Sequence, residues 1–278
     1  MGAVPQARLL RHARSDHGPL ASNAAQNLAQ RHALLHFPTG AIYSYIAKNA
    51  CSTLRLSFAI ANGCLAGPED WSWIHENNRT FNAPLRDLVM APYAFVILRC
   101  PHARLASAFL DKIVGRTTHY WSLHRMMDDA LSPDTLTFRR FAGLLQERRV
   151  LNADPHWRPQ TDFLVYQTYD DWFSMTDLAG MADRLRDRIG LDLIDARPFT
   201  RHSTDRFAPD DGRCHADTPV TKIEAMMRQG RLPSHASLYD ARLAGAVARL
   251  YAEDMLLCQQ RIGAAALLFP DLASKVEQ

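Results

Sequence analysis

Apolar residues fall along this chain in two rhythms. Ala41, Ile42, Tyr43, Ser44, Tyr45 and Ile46 form a short β-branched and aromatic run after Pro38, Thr39 and Gly40, which predicts a strand. Residues 48–53 are small and polar, and Leu54, Leu56, Phe58, Ala59 and Ile60 then predict a helix that runs to Gly63. Tyr93, Ala94, Phe95, Val96, Ile97 and Leu98 are almost continuously apolar, the pattern of a parallel strand buried on both faces. That run ends at Arg99, Cys100 and Pro101, and proline suits the first turn of a helix. The helix it opens carries Leu105, Ala108, Phe109 and Ile113, an apolar stripe at spacings of three and four. A third strand is predicted at Phe163, Leu164, Val165 and Tyr166. Amphipathic helices are predicted over 176–190 and 237–262, the second with Leu238, Leu243, Val247, Leu250 and Met255 inward. Segments 199–219 and 228–236, rich in Pro, Ser, Asp and Gly, read as loops.

Strands alternating with helices predict an α/β fold in three layers, a parallel sheet flanked by helices. Residues 1–35 are polar and rich in Ala, Gln and Arg, and read as an appended helical arm; 36–278 then form one large domain. No internal repeat or low-complexity tract interrupts the chain. Composition narrows the class further. A hydrophobic share of 47% with 22% charged residues excludes a disordered chain. The net charge of +3 is too small to argue for nucleic acid. Five scattered cysteines, with no C-x-x-C pair, argue against a disulfide framework or a zinc knuckle and favour a reducing compartment. No apolar run approaches the ~18–20 residues needed to span a bilayer. The first residues have no apolar core of a secretory signal, and a solvated first helix accounts for Arg8, Arg11 and Arg14 as well as an organelle presequence does. A cytoplasmic protein is the expectation.

Only four of the basic residues are lysines, and one of them, Lys48, opens the polar segment between the first strand and helix. A helix N-terminus offers unpaired N–H groups and about half a positive charge. Ala50 lets the backbone approach a phosphate, Ser52 and Thr53 add hydroxyls, and Lys48 adds a mobile cation. This is not the G-x-x-x-x-G-K-[ST] loop, so no triphosphate or magnesium site is implied. Arg99 follows the second strand, at the sheet edge where ligands bind in open α/β sheets. Ser107 lies about two turns along the next helix, and a guanidinium with a hydroxyl suits a terminal phosphate. Two phosphate-type sites at neighbouring strand ends suggest a nucleotide with phosphates at both ends.

These residues carry a resemblance. Tyr45, Ile46, Ala47, Lys48, Asn49, Ala50, Cys51, Ser52 and Thr53 resemble the 5′-phosphosulfate loop of sulfotransferases, and residues 95–109 around Arg99 and Ser107 resemble their 3′-phosphate strand and helix. Asp154, Pro155, His156, Trp157, Arg158, Pro159 and Gln160, followed by Tyr169 and Asp170, are similar to a segment of the Golgi carbohydrate sulfotransferases of the chondroitin, dermatan and HNK type. Leu250, Tyr251, Ala252, Glu253 and Asp254 resemble that family's final helix. The sequence departs from the family at Ala47 (usually Pro), at Cys100 (usually Asp) and in lacking the cysteine pair that often follows the His-Trp block.

The resemblance implies a P-loop NTPase-like fold and a soluble member of that family. The cofactor it implies is 3′-phosphoadenosine 5′-phosphosulfate (PAPS), released as 3′-phosphoadenosine 5′-phosphate (PAP), and the acceptor is a hydroxyl of a sugar or glycoconjugate. No metal, nucleic acid or membrane span is expected. It implies that Lys48 stabilises the leaving oxygen, that Asn49, Ala50, Cys51, Ser52 and Thr53 hold the 5′ end, and that Arg99 and Ser107 hold the 3′-phosphate. For the base that takes the acceptor proton, His75 and His156 compete, with a slight preference for His75, near Asn77, Asn78 and Arg79. Arg116, His119, Arg125 and Arg158 could meet an acceptor, and Trp71, Trp73 and Trp121 could stack on sugar rings, though packing is the commoner role; the same holds for Trp157. Thr200, Arg201, His202 and Ser203 are a candidate closing loop. Asp128, Asp129, Asp210 and Asp211 show no metal spacing. The rival classes are a nucleotide-dependent kinase, which predicts magnesium dependence, and a non-catalytic nucleotide-binding module.

Overall fold

Backbone hydrogen bonds in a computed structural model, which describes residues 7–14, 18–77, 79–199 and 206–273, define the elements. In chain order the first are α1 (Ala24–Arg31), β1 (Ala33–His36), β2 (Ala41–Ser44), α2 (Cys51–Ala61), α3 (Trp73–Glu76), α4 (Leu85–Met90) and β3 (Ala94–Leu98). Then come α5 (Pro101–Ala108), α6 (Thr118–Met126), α7 (Phe138–Leu144), α8 (Arg148–Leu151), β4 (Asp171–Ser174) and α9 (Leu178–Ile189). The last are β5 (Ala208–Asp210), α10 (Val220–Arg228), β6 (Arg231–Pro233), α11 (Ala241–Leu250) and α12 (Ala252–Ile262). The chain divides into two units, one of residues 1–98 with 160–201 and one of residues 99–159 with 202–278. No helix among the described residues is long and apolar enough to cross a membrane.

The first unit is built on a four-stranded sheet in the order β1-β2-β3-β4. β2, β3 and β4 run parallel, and β1 joins antiparallel through a turn in which Gly40 takes φ 72°, a conformation L side chains rarely adopt. The sheet is therefore mixed but mainly parallel, and helices flank it. β3 is buried at every position, which explains its unbroken apolar run. Tyr43 and Phe95 stack at 5.0 Å in a core that also takes Leu54, Phe58, Met181 and Leu185 from α2 and α9. α9 is stopped by its own sequence: Asp177 accepts from the Gly180 N–H, and Gly190 closes the end at φ 65°.

Two predicted elements are corrected. Residues 163–166 are buried but do not form a strand; Gln160–Phe163 is a 3₁₀ turn and the sheet's last strand is β4. The Val165 N–H donates to the Tyr169 hydroxyl (2.9 Å), so a side chain fills the place of a ladder partner. A short apolar run has no period with which to tell a strand from a buried turn. The long helix over 237–262 is two helices, interrupted at Tyr251 (φ −111°, ψ 38°), whose hydroxyl is tied to the Trp157 carbonyl. The segments read as loops include the short parallel pair β5 and β6. The sequence also did not announce β1, which pairs with β2 from within the polar leading segment.

The second unit is mostly helical. Its core gathers Phe109, Phe138, Phe141, Trp157, Val220, Leu238 and Val247. The stripe predicted from Pro101 onward is borne out, with Leu105, Ala108, Phe109 and Ile113 all buried, although the helix widens to a π-type turn over Phe109–Val114.

Candidate functional site

Two polar clusters stand out, one in each unit. In the first unit, β2 ends at Ser44 and α2 begins at Cys51, with a tight polar loop between. Lys48 (φ 73°) and Ala50 (φ 53°) both sit in the left-handed region, on either side of Asn49. For a residue with a Cβ this conformation is strained by ~1–2 kcal/mol, and such strain persists only where the surroundings over-determine it. Here the over-determining residue is Asn49, fully buried. Its Nδ2 donates to the Ile97 carbonyl near the end of β3 (2.8 Å) and to Oε1 of Gln160 (2.7 Å). Alternation of left-handed residues with others is the backbone pattern that turns N–H groups toward one anion.

α2 has no side-chain cap: Ala50 is its N-cap, and its first bond runs from the Leu54 N–H to the Ala50 carbonyl. The N–H groups of Cys51, Ser52 and Thr53 precede that bond and have no acceptor within the helix. These three residues and Lys48 are half-buried. The Thr53 hydroxyl already accepts from the Ala196 N–H (3.3 Å), leaving its own proton to donate. Ser57 braces the same turn, donating to the Thr53 carbonyl (2.8 Å) and accepting from the Ile194 N–H (2.9 Å). The loop and helix start can hold an anion through backbone donors.

Arg99 and Ser107 belong to the second unit. Arg99 follows β3 directly and is half-buried, and its carbonyl accepts from the Cys258 thiol (3.4 Å). Ser107 is buried on α5. Cys100 caps α5 in the position read as usually Asp: its carbonyl accepts from the Arg104 N–H, and its sulfur accepts from the Leu268 N–H (3.1 Å).

The second cluster centres on Asp154. Its Oδ1 accepts from the His156 backbone N–H (2.8 Å) and from His156 Nδ1 (2.7 Å), and its Oδ2 accepts from His119 Nδ1 on α6 (2.5 Å). The two imidazoles meet edge to face, 4.3 Å between centroids. Burial pushes the His156 imidazole down to about 4 against the opposing pull of Asp154. Burial also pushes the Asp154 carboxyl up, but the hydrogen bonds from His119 and His156 outweigh it and hold the group below the usual carboxylate range. The turn carrying these residues is rigid. Buried Arg104 donates to the carbonyls of Pro155 (2.8 Å) and Arg158 (2.7 Å), Trp157 Nε1 donates to the Val150 carbonyl (2.9 Å), and Arg158 donates to the Asn152 carbonyl (2.9 Å).

His119, Asp154 and His156 are also a group of metal-ligand type among the described residues, with one ligand atom from each within 4.8 Å of the others. The contacts of 2.5 and 2.7 Å are hydrogen-bond lengths, shorter than the ~3.4 Å between ligands on a tetrahedral ion with bonds of about 2.1 Å.

His75 lies elsewhere, exposed on the four-residue α3 in the first unit, its ring edge against Trp71 at 5.5 Å. Trp73 packs on Phe81, and Trp157 is core. Trp121 is exposed, as is Arg125; Arg116 pairs with Glu224. Asp129 faces His124 (3.4 Å), and Asp210 pairs with Arg231 (3.1 Å). Asn78 and residues 200–203 lie outside the described residues. The sequence reading gave no role to Asp154 or Gln160 and treated His119 only as an acceptor contact. The Asp-x-His spacing was the visible signal for Asp154, whereas only folding brings α6 to it.

The model of the family described as "Sulfotransferase family" matches residues 35–257 of the chain. No curated protein and no solved structure matches it.

Proposed function

The chain belongs to the sulfotransferase family, and on that premise we propose that it moves the sulfuryl group of PAPS to a hydroxyl of a carbohydrate or glycoconjugate. The observation that carries the reading is the loop from Lys48 to Thr53, where a strained backbone, an uncapped helix start and a lysine follow a strand of a mainly parallel sheet. In this reading the fold is P-loop-like, the N–H groups of residues 50–53 bind the 5′ end, and Lys48 meets negative charge building on the departing oxygen. Asn49 braces the loop instead of binding the group, because its N–H is given to the Ile46 carbonyl (3.2 Å) and its amide to Ile97 and Gln160. Arg99 and Ser107 take the 3′-phosphate, which separates this cofactor from plain adenylyl sulfate. His156 is the base in preference to His75, because a half-buried, carboxylate-oriented imidazole is neutral at working pH and held in one geometry, while His75 stands exposed on one turn of helix. Free cysteines at 51, 64, 100, 214 and 258 support a cytoplasmic setting.

Calorimetry with PAP, ATP and 5′-AMP tests the cofactor: PAP should bind at least ~10-fold more tightly than either, since each bears only part of the recognised pattern. Preference for ATP would make the chain a kinase. Labelled PAPS offered with a panel of sugar hydroxyls then tests transfer, and tight PAP binding without transfer to any acceptor would leave only a binding module.

A further inference from the structure

The His156 turn holds more than one imidazole. An ionised carboxylate only accepts hydrogen bonds, so both Nδ1 atoms that contact Asp154 must carry the proton. A neutral imidazole has one N–H, which leaves Nε2 of His156 as its lone-pair nitrogen. We propose that His156, Asp154 and His119 form a single proton-accepting unit: Asp154 fixes the tautomer and direction of His156, and His119 is the positioning residue that locks Asp154. The proposal rests on the reading of His156 as the base and adds the two residues that make it one.

The geometry assigns each part. Asp154 Oδ1 takes both the backbone N–H and Nδ1–H of His156, so the ring cannot turn about its bonds without breaking the second. Oδ2 would otherwise be free to rotate, and the Nδ1–H of His119, delivered from α6, holds it. The side chains are 11% exposed at Asp154, 18% at His156 and 29% at His119, so the carboxylate is the most sheltered of the three and the His156 side chain keeps part of its surface open. The charged and titratable groups facing His156 are Asp154, His119 and Lys112, and Lys112 is itself paired with Asp111 (3.1 Å). In the transfer step the acceptor oxygen forms the new S–O bond, the bond from sulfur to the bridging oxygen of PAPS breaks, and PAP leaves with that electron pair. The acceptor proton passes to Nε2 of His156, the imidazolium is balanced by Asp154, and the proton is then lost to water.

The test uses the full chain with four variants: His156→Ala, Asp154→Asn, His119→Phe and His119→Gln. Turnover and donor KM are measured together with the imidazole tautomer by long-range ¹⁵N–¹H NMR. Wild type should show His156 as the Nδ1–H tautomer. Asp154→Asn should lower kcat about 100-fold with donor KM within about twofold, and should mix the tautomers. His119→Phe should lower kcat about 10-fold, and His119→Gln, which restores an N–H donor, should recover most of it. Normal turnover in His156→Ala would overturn the base reading itself. Loss of turnover in His156→Ala, with unchanged turnover and tautomer in both Asp154→Asn and His119→Phe, would overturn the three-residue unit while leaving His156 as the base. Thermal melts identify any variant that fails to fold, and the NMR of His119→Gln decides the matter in that case: a mixed tautomer in a folded, active protein would also overturn it.

Discussion

The loop from Lys48 to Thr53 and the turn around Asp154 solve the problem of placing polar groups in opposite ways. In the loop the donors on offer belong mainly to the backbone, and the Asn49 side chain is a buried brace, given to the Ile97 carbonyl and Gln160. Around Asp154 the functional atoms are on side chains, and the backbone is the buried brace, tied by Arg104, Trp157 and Tyr251. A site made of backbone donors depends on conformation, so it fails as a whole when its brace is removed. A site made of side chains fails one atom at a time.

Four substitutions or conditions press on that contrast, beginning with the strongest. Lys48→Ala removes the one cation within residues 48–53; kcat should fall about 10³-fold, with PAP affinity by calorimetry changed far less, because the cation acts where charge develops. Near-normal turnover would remove Lys48 from the site. Asn49→Leu keeps the volume but strips the brace, removing the hydrogen bonds to the Ile97 carbonyl and to Gln160 Oε1. Losing a buried hydrogen bond costs ~1–3 kcal/mol, so PAP affinity should drop by about 10- to 100-fold and the melting temperature should fall with it. Retained affinity would mean that the strained loop does not need its clamp.

The third is acid stability. Burial holds His36, His102 and His156 below the ordinary imidazole value. The unfolded chain therefore binds protons first, at about pH 6.5, so stability is full above that pH and drains away as pH falls toward about 4. The His156 contribution alone is on the order of 3 kcal/mol, and urea unfolding at pH 7 and pH 5 should show about half of that loss in wild type and less in His156→Gln. The smallest effect is on rate. With His156 as the base, initial rates of protein shown to be folded by circular dichroism should change less than about twofold between pH 7 and pH 5. A larger loss of rate across that interval in folded protein would take the role away from His156.

Parts of this were legible before folding. The unbroken apolar run at 93–98 fitted a strand covered on both faces, and β3 (Ala94–Leu98) is that strand. Lys48, Asn49 and Ala50 could be read as a phosphate-type loop because small residues between a strand and a helix have few other uses. The run at 163–166 misled for a definite reason: its backbone is satisfied by the Tyr169 hydroxyl, a partner that periodicity does not encode. Asp154, Gln160 and His119 are ordinary polar residues until their partners are known.

The chain's own order of residues determined the strand–loop–helix rhythm, the buried strand, the glycine-closed helix ends and the segment with the strongest family likeness, because each depends on neighbours within a few positions. Tertiary structure alone decided that Asn49 would meet Gln160, that His119 would reach Asp154 across 35 positions, and that His156 would be half-buried and oriented by a carboxylate while His75 stands exposed. Those outcomes depend on desolvation and on hydrogen bonds between distant segments, and neither exists until the chain has closed around them.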